Sequence, residues 1–232
     1  MKKKLNIKEL GIGFGAIALY YALSLLVGSL LLFLFKKINI NVSSAVLNIS
    51  LYLIMCLVFV LIFIKSLIKD FKDFKKNYKK ILSITIKYWI KGLFLMFVFS
   101  YLIALIHLDS NYNQDLNIAL LKKSILIESL IAMILAPILE EIVFRRSFRN
   151  FTNNKHIFAF TTGFIFAMIH VVSSINGLMD LPMLLYLLPY GAVSVAFGYA
   201  YAETDNIYGT MCVHSLHNAI SILELLIVGG IL

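Results

Sequence analysis

Long apolar runs with few charged residues constrain this 232-residue chain more than any other feature of its sequence. Hydrophobic residues make up 61% of the chain and charged residues 14%, against roughly 45–50% and about 25% in ordinary soluble domains. A membrane-spanning helix needs about 20 mainly apolar residues. The runs reach that length, so they predict an all-α, polytopic transmembrane bundle. A soluble enzyme, a disordered chain and a disulfide scaffold are not expected.

Seven runs are long enough to be predicted as spans. An eighth span remains an alternative if the first or the last run contains a break. The run that begins at Leu10 is too long for the apolar part of a signal peptide, so we expect it to be retained. We expect one integral membrane domain over 1–232, with a motif-bearing catalytic core at about 124–230 and three spans without a motif in 10–106. The predicted spans are 10–35, 44–64, 84–106, 124–146, 157–175, 182–202 and 207–230.

The lysines and arginines are spread unevenly over the predicted loops. With the N-terminus inside, nearly all of them fall on the cytoplasmic side, as the positive-inside rule requires. The segment Lys65–Lys80 interleaves its lysines with aromatic residues, which is typical of a loop or a short amphipathic helix lying on anionic lipid. The net charge of +9 therefore indicates a cell-membrane protein whose N-terminus and Lys65–Lys80 loop are cytoplasmic, and no nucleic-acid partner is expected. The exceptions on the outer side are Lys36, Lys37, Lys122 and Lys123.

Two carboxylates and an arginine lie in the fourth predicted span, where ionisable groups are costly and so indicate function. Glu141 and Arg145 are four residues apart on one helix face and can form an ion pair. That pairing leaves Glu140, about 100° away around the helix, free to face another group. Pro137 removes a backbone donor and predicts a kink just before the carboxylates.

Two later spans also carry polar groups. His170 lies in the fifth span, and His214 and Asn218 share one face of the last span because they are four residues apart. A single histidine in an apolar helix is more often a packing residue than a catalytic one. Three helices that all carry acid–base groups are harder to explain by packing. The span boundaries alone place His170 in the outer half of the membrane and Glu140 in the inner half.

These residue types favour hydrolysis by an activated water. A carboxylate and an imidazole that converge on one water act as a general base, and a second histidine with an asparagine can donate hydrogen bonds to an oxyanion. Glu140, His170 and His214 could instead hold Zn²⁺, which would activate the same water. The sequence contains no G-x-S-x-G or H-E-x-x-H motif, so serine-hydrolase and zincin chemistry are not expected.

The three clusters, in this order along the chain, resemble the CPBP family of intramembrane CAAX-type prenyl proteases and bacteriocin-processing or self-immunity proteins. The resemblance implies that water is activated by one glutamate and one histidine, and that the oxyanion is stabilised by the second histidine and the asparagine. The second glutamate, also part of the catalytic set, and the motif arginine have supporting roles. The matching residues are Glu140, Glu141 and Arg145, then Phe166 and His170, then His214 and Asn218, with Glu140 and His170 acting on the water.

The resemblance also implies partners and leaves alternatives open. The expected substrate is a membrane-associated peptide or protein, either lipidated or of the bacteriocin type. Members of the family have been described as metalloproteases and as metal-independent glutamate proteases, so zinc and a metal-free mechanism both remain open. A non-catalytic bacteriocin immunity protein is a further alternative, and its protection should survive Glu140→Gln. A proton-coupled transporter is less favoured, because the sequence shows no inverted repeat.

Overall fold

The structure, a computed structural model, describes residues 5–106, 108, 112–175 and 178–228. These residues are helical almost throughout and contain no strand, which confirms the predicted all-α fold. Short π- and 3₁₀-helical segments join some of the α-helices. The α-helices are α1 (Ile7–Lys37), α2 (Ser44–Leu105), α3 (Tyr112–Lys123), α4 (Ile125–Leu130), α5 (Ala136–Glu141), α6 (Lys155–Val171), α7 (Leu187–Thr204) and α8 (Ile207–Val228).

Five helical stretches within the described part of the chain are long and apolar enough to cross a membrane. Many of their large apolar side chains point outward; Leu25 exposes 73% of its surface and Phe94 exposes 66%. Soluble monomers rarely expose apolar surface on this scale, so the helices form a membrane protein. The number of spans and the side of the N-terminus stay predictions. The stretches are Ile7–Lys37, Ser44–Leu105, Lys155–Ser174, Asp180–Thr204 and Ile207–Ile227.

The second and third predicted spans belong to one uninterrupted helix. α2 continues through Lys65–Lys80, so of the two forms predicted for these residues the structure has a helix rather than a loop, and the expected break between the two spans is wrong. The sequence from Ser44 to Lys91 contains neither glycine nor proline, and lysine is a good helix former, so nothing in this stretch ends the helix. The two halves of α2 have different neighbours: Cys56 donates to the Leu135 carbonyl, whereas the second half packs on α7 and α8.

The fourth predicted span is helical but is not one regular α-helix. π-helical turns at Ile131–Leu135 and Ile142–Arg146 follow α4 and α5. In the first turn the Ala136 N–H donates to the carbonyl five residues before it. Pro137 cannot make the next bond of this kind, to Ala132, because it has no N–H. The disturbance predicted at Pro137 therefore takes the form of a π-helical turn, which is common at functional sites.

Helices α6 and α7 pack with their backbones close together at two glycines. A Cβ atom on Gly198 would lie 2.7 Å from the Ala159 Cα, and one on Gly163 would lie 2.8 Å from the backbone of Val195. Small residues of this kind let membrane helices approach closely. The close approach fixes the position of α6, which carries His170, relative to the polar residues of α7.

Candidate active site

Glu141 and Arg145 form a fully buried ion pair. The guanidinium donates from Nη1 to Glu141 Oε1 at 2.9 Å, and both side chains are 0% exposed. Its Nη2 donates to Ser194 Oγ on α7 at 2.6 Å. The guanidinium carbon also lies 4.4 Å from the centre of the Phe166 ring on α6. The predicted pair is therefore confirmed, and it connects the π-helical turn that carries Arg145 to α6 and α7.

His214 of α8 lies between the two glutamates. Its Nδ1 is 2.9 Å from Glu141 Oε1, and its Nε2 is 3.7 Å from Glu140 Oε2. An ionised carboxylate only accepts hydrogen bonds, so Nδ1 carries the hydrogen in the shorter contact. The buried pair with Arg145 thus orients Glu141, and Glu141 in turn orients the imidazole so that Nε2 faces Glu140.

Glu140 has more open surroundings than its neighbour. Its side chain is 16% exposed, and within the described residues its one ion-pair contact is the 3.7 Å approach to His214. Adjacent glutamates on one helix therefore differ sharply: Glu141 is fully buried and its Oε1 accepts from both Arg145 and His214, while Glu140 is partly exposed.

His170 lies in an aromatic slot near the same carboxylate. Its ring is between Phe166, at a centroid distance of 4.4 Å, and Tyr190, at 5.4 Å with 30° between the planes. Its Nδ1 is 2.9 Å from the Phe166 carbonyl oxygen, so Nδ1 carries the hydrogen and Nε2 has the lone pair. The same Phe166 ring lies 5.9 Å from the His214 ring, and His214 in turn approaches Glu140. The structure thus brings together two residues that the span boundaries alone placed in opposite halves of the membrane.

Asn218 lies on α8, one turn after His214, and its side chain is bound to the π-helical turn at Ile131–Leu135. Its side-chain amide donates to the Ala132 carbonyl at 2.8 Å, the acceptor that Pro137 leaves without its helical donor. An asparagine amide has two hydrogens, so one N–H remains for another acceptor. In this position Asn218 fixes α8 to the π-helical turn, a contact that its predicted role at the oxyanion did not include.

Pro137 and Asn218 should be energetically coupled, because both determine how the Ala132 carbonyl is satisfied. We expect Asn218→Ala to lower the free energy of unfolding by about 1–3 kcal/mol, since it removes the donor of a carbonyl within the bundle. In the double variant Pro137→Ala/Asn218→Ala, the new backbone N–H can bond to Ala132, so the loss should be smaller. Thermal unfolding in detergent measures both losses. Equal losses in the single and double variants would contradict the shared acceptor.

Several residues at the site carry no motif in the sequence. Tyr190 stacks on His170, Ser194 binds Arg145, and the Phe197 ring lies 5.4 Å from the His214 ring. Tyr190 and Ser194 are four residues apart in an apolar helix, so they share a face. Two polar groups on one face of a membrane helix are the signal by which this pair could have been found.

The three side chains considered as zinc ligands are not arranged as a ligand set. One nitrogen of His214 contacts Glu141 and one nitrogen of His170 contacts a carbonyl, so each imidazole keeps a second nitrogen, and the misfit lies in how the three side chains are grouped. Within residues 5–106, 108, 112–175 and 178–228, no three His, Cys, Asp or Glu side chains are grouped so that they could hold a metal ion. The side chains as placed do not fit a three-ligand zinc site, and the chemistry below has no step through a metal.

Comparison with known families identifies the segment that carries the site. Residues 122–220 match the family model described as Rce1-like, type II CAAX prenyl endopeptidase. This part of the chain is similar to that family. The Rce1-like segment contains every motif residue from Glu140 to Asn218, so the resemblance to the CPBP and CAAX protease family is confirmed. No curated protein and no solved structure matches the chain. Helices α1 and α2 lie outside the Rce1-like segment.

Proposed function

We propose that the chain is an intramembrane endopeptidase that hydrolyses a peptide bond of a membrane-associated peptide or protein. The observation that carries the proposal is the contrast between two adjacent carboxylates. Glu141 is completely buried and paired with Arg145, whereas Glu140 is accessible and faces His214. Two carboxyl groups with opposite surroundings are the usual sign of separate roles in acid–base chemistry. The family match supports a membrane protease at this position.

The arrangement supports a water-mediated reaction. Glu140, aided by the lone pair on His170 Nε2, takes a proton from a water molecule, and the hydroxide attacks the carbonyl carbon of the substrate. The carbonyl oxygen becomes an oxyanion that accepts hydrogen bonds from His214 in its doubly protonated form and from the second amide hydrogen of Asn218. The C–N bond then breaks, and the proton held by Glu140 passes to the leaving amine.

Glu141 and Arg145 serve this reaction by positioning. Their pair holds His214 through a 2.9 Å contact and connects it to Ser194 on α7. Phe166 contributes to the same positioning, because its ring contacts both Arg145 and His170. The chemistry therefore rests on two groups that face the water and on a buried network that keeps them in place.

Tyr190 should affect the reaction through His170. We expect Tyr190→Leu to lower kcat by roughly 2–10-fold, the equivalent of about 0.5–1.5 kcal/mol for a stacked aromatic pair, with little change in KM. Tyr190→Phe keeps the stacked ring and should lose less of kcat than Tyr190→Leu does. Tyr199→Leu is the matched control, since Tyr199 lies on the same helix but stacks on Tyr88. Steady-state kinetics in liposomes measures the effect. A rise in KM with unchanged kcat would contradict a positioning role.

The proposal extends to organisation and location. All the described helices form one membrane domain, because α2 packs against α1, α5, α7 and α8. The catalytic core is at about 124–230, and the helices of 10–106 carry no motif. The N-terminus and Lys65–Lys80 face the cytoplasm, and the protein lies in the plasma membrane. The substrate is a lipidated protein or a bacteriocin-type peptide, in keeping with the prenyl endopeptidases for which the family is named.

Comparison of protein termini in cells tests this function with no substrate chosen in advance. Membrane fractions from cells that produce the wild-type protein or Glu140→Gln are analysed for new C-termini by mass spectrometry. We expect new C-termini of membrane-associated peptides or proteins in the wild-type cells only. Identical terminal profiles in the two strains would contradict an endopeptidase that depends on Glu140.

A further inference from the structure

An apolar groove lies between α2, α5 and α8, on the side of α5 that faces the first half of α2. It has a volume of about 260 Å³. It opens outward, because several of its lining side chains on α2 are exposed, with 48% of Ile68 and 43% of Phe71 accessible. The groove touches the turns that carry the proposed site, since Ile142 follows Glu141 and Met211 precedes His214 by one turn. Its lining includes Ile64, Ile68, Phe71, Ile138, Ile142 and Met211.

Positive charge lies at the Phe71 end of this groove. Lys75 Nζ is 4.8 Å from the centre of the Phe71 ring, so its charge is directly above the apolar lining. Lys72 is four residues after Ile68 and lies on the same side of α2. The aromatic end of the groove is itself held in place, because Phe71 packs on Tyr208 with 5.4 Å between the ring centres.

The acidic residues of the same segment contact the start of α8 and the residue before it. Asn206 is completely buried, and its amide donates to the Asp70 carbonyl at 2.8 Å and to Asp73 Oδ2 at 2.9 Å. The Asp70 carboxylate faces the backbone N–H at the start of α8. Across the part of the chain that the structure describes, no ion pair involves Lys72 or Lys75. Both lysines therefore lie beside an open apolar groove without an ion-pair partner among the described residues.

We propose that this groove binds one anionic phospholipid, with an acyl chain between α2, α5 and α8 and the phosphate at Lys72 and Lys75. Charge complementarity selects this occupant, since cations at the membrane surface attract anionic headgroups. An apolar groove that opens to the bilayer accepts an acyl chain for the same reason that it excludes water. The inference goes beyond the proposed protease function and does not depend on it.

Lipid titration followed by native mass spectrometry tests the site directly. Delipidated protein is titrated with phosphatidylglycerol and phosphatidylcholine of identical acyl chains, and bound lipids are counted. We expect the wild-type protein to retain one phosphatidylglycerol in clear preference to phosphatidylcholine. Lys72→Gln/Lys75→Gln should lose the preference. Lys76→Gln/Lys80→Gln is the matched control. It removes the same amount of charge, but these two lysines lie about 140° and 180° around the helix from Phe71.

A second variant separates the groove from the surface charge. Ile64→Trp fills the groove without changing any lysine, and it should lower phosphatidylglycerol retention, whereas Leu53→Trp, at an exposed position elsewhere on α2, should not. Thermal unfolding midpoints show that each variant is folded. Equal binding of the two lipids by the wild-type protein, equal losses in both lysine pairs, or full retention by Ile64→Trp would each overturn the proposal. Displacement of the lipid by a lipidated peptide would also overturn it, because the groove would then be a substrate site.

Discussion

Glu140→Gln should lower kcat for peptide cleavage by roughly 10²–10⁴-fold, the usual contribution of a positioned general base. Glutamine has the same shape as glutamate, but its amide cannot take a proton from water. The fold should be retained, because the Glu140 side chain is partly accessible and approaches His214 at 3.7 Å rather than forming a close ion pair. The measurement is kcat in liposomes, on a peptide found by the comparison of termini.

The control for this variant is Glu224→Gln, which makes the same chemical change at an exposed position on α8. It should leave kcat unchanged. Thermal unfolding of both variants should match the wild-type protein, which separates a lost base from a lost fold. Cleavage by Glu140→Gln at the wild-type rate would show that another group activates the water.

Arg145→Met should lower the free energy of unfolding by about 3–5 kcal/mol, because it leaves the Glu141 carboxylate buried without its partner. Methionine keeps much of the length and apolar contact of the side chain, so the change is mainly one of charge. Arg149→Met is the matched control. Arg149 donates to Asp205 at 2.7 Å, but Asp205 is 58% exposed, so its loss should cost at most about 1 kcal/mol. Thermal or denaturant unfolding in detergent compares the two.

A double variant separates stability from activity at this pair. Glu141→Leu/Arg145→Met removes both buried charges, and it should recover much of the stability that Arg145→Met loses. It should not recover cleavage, because His214 no longer has the carboxylate that orients its ring. Equal stability of Arg145→Met and Arg149→Met would contradict the account of the buried pair.

Local spacing is the part of the site that the sequence predicts well. The ion pair between Glu141 and Arg145 follows from their separation of four residues, and the shared face of His214 and Asn218 follows in the same way. These relations depend on helix geometry alone. The stacking of Tyr190 on His170 and the bond from Arg145 to Ser194 depend on how α7 packs, and no spacing along the chain reveals that packing.

The predictions from hydropathy were incomplete in two places, where a helix continues through a charged segment and where a helix departs from regular α geometry. Hydropathy measures composition, and a run of lysines between two apolar runs looks like a loop even when α2 continues through Lys65–Lys80. The bond from Asn218 to Ala132 depends on a π-helical turn that places the acceptor five residues before Pro137. Such turns also change which residues share a level in the membrane, so boundaries drawn from apolar runs did not bring His170 to Glu140.

The central claim is that water activated by Glu140 hydrolyses the peptide bond, and the origin of the oxygen in the product tests it most directly. Chelator-treated protein in liposomes cleaves its substrate in H₂¹⁸O, and mass spectrometry examines the new C-terminus after one turnover. The account predicts a single ¹⁸O atom in the new carboxyl group with the wild-type protein and no such product with Glu140→Gln. A labelled product formed equally by Glu140→Gln, or cleavage that returns only when zinc is added, would contradict it.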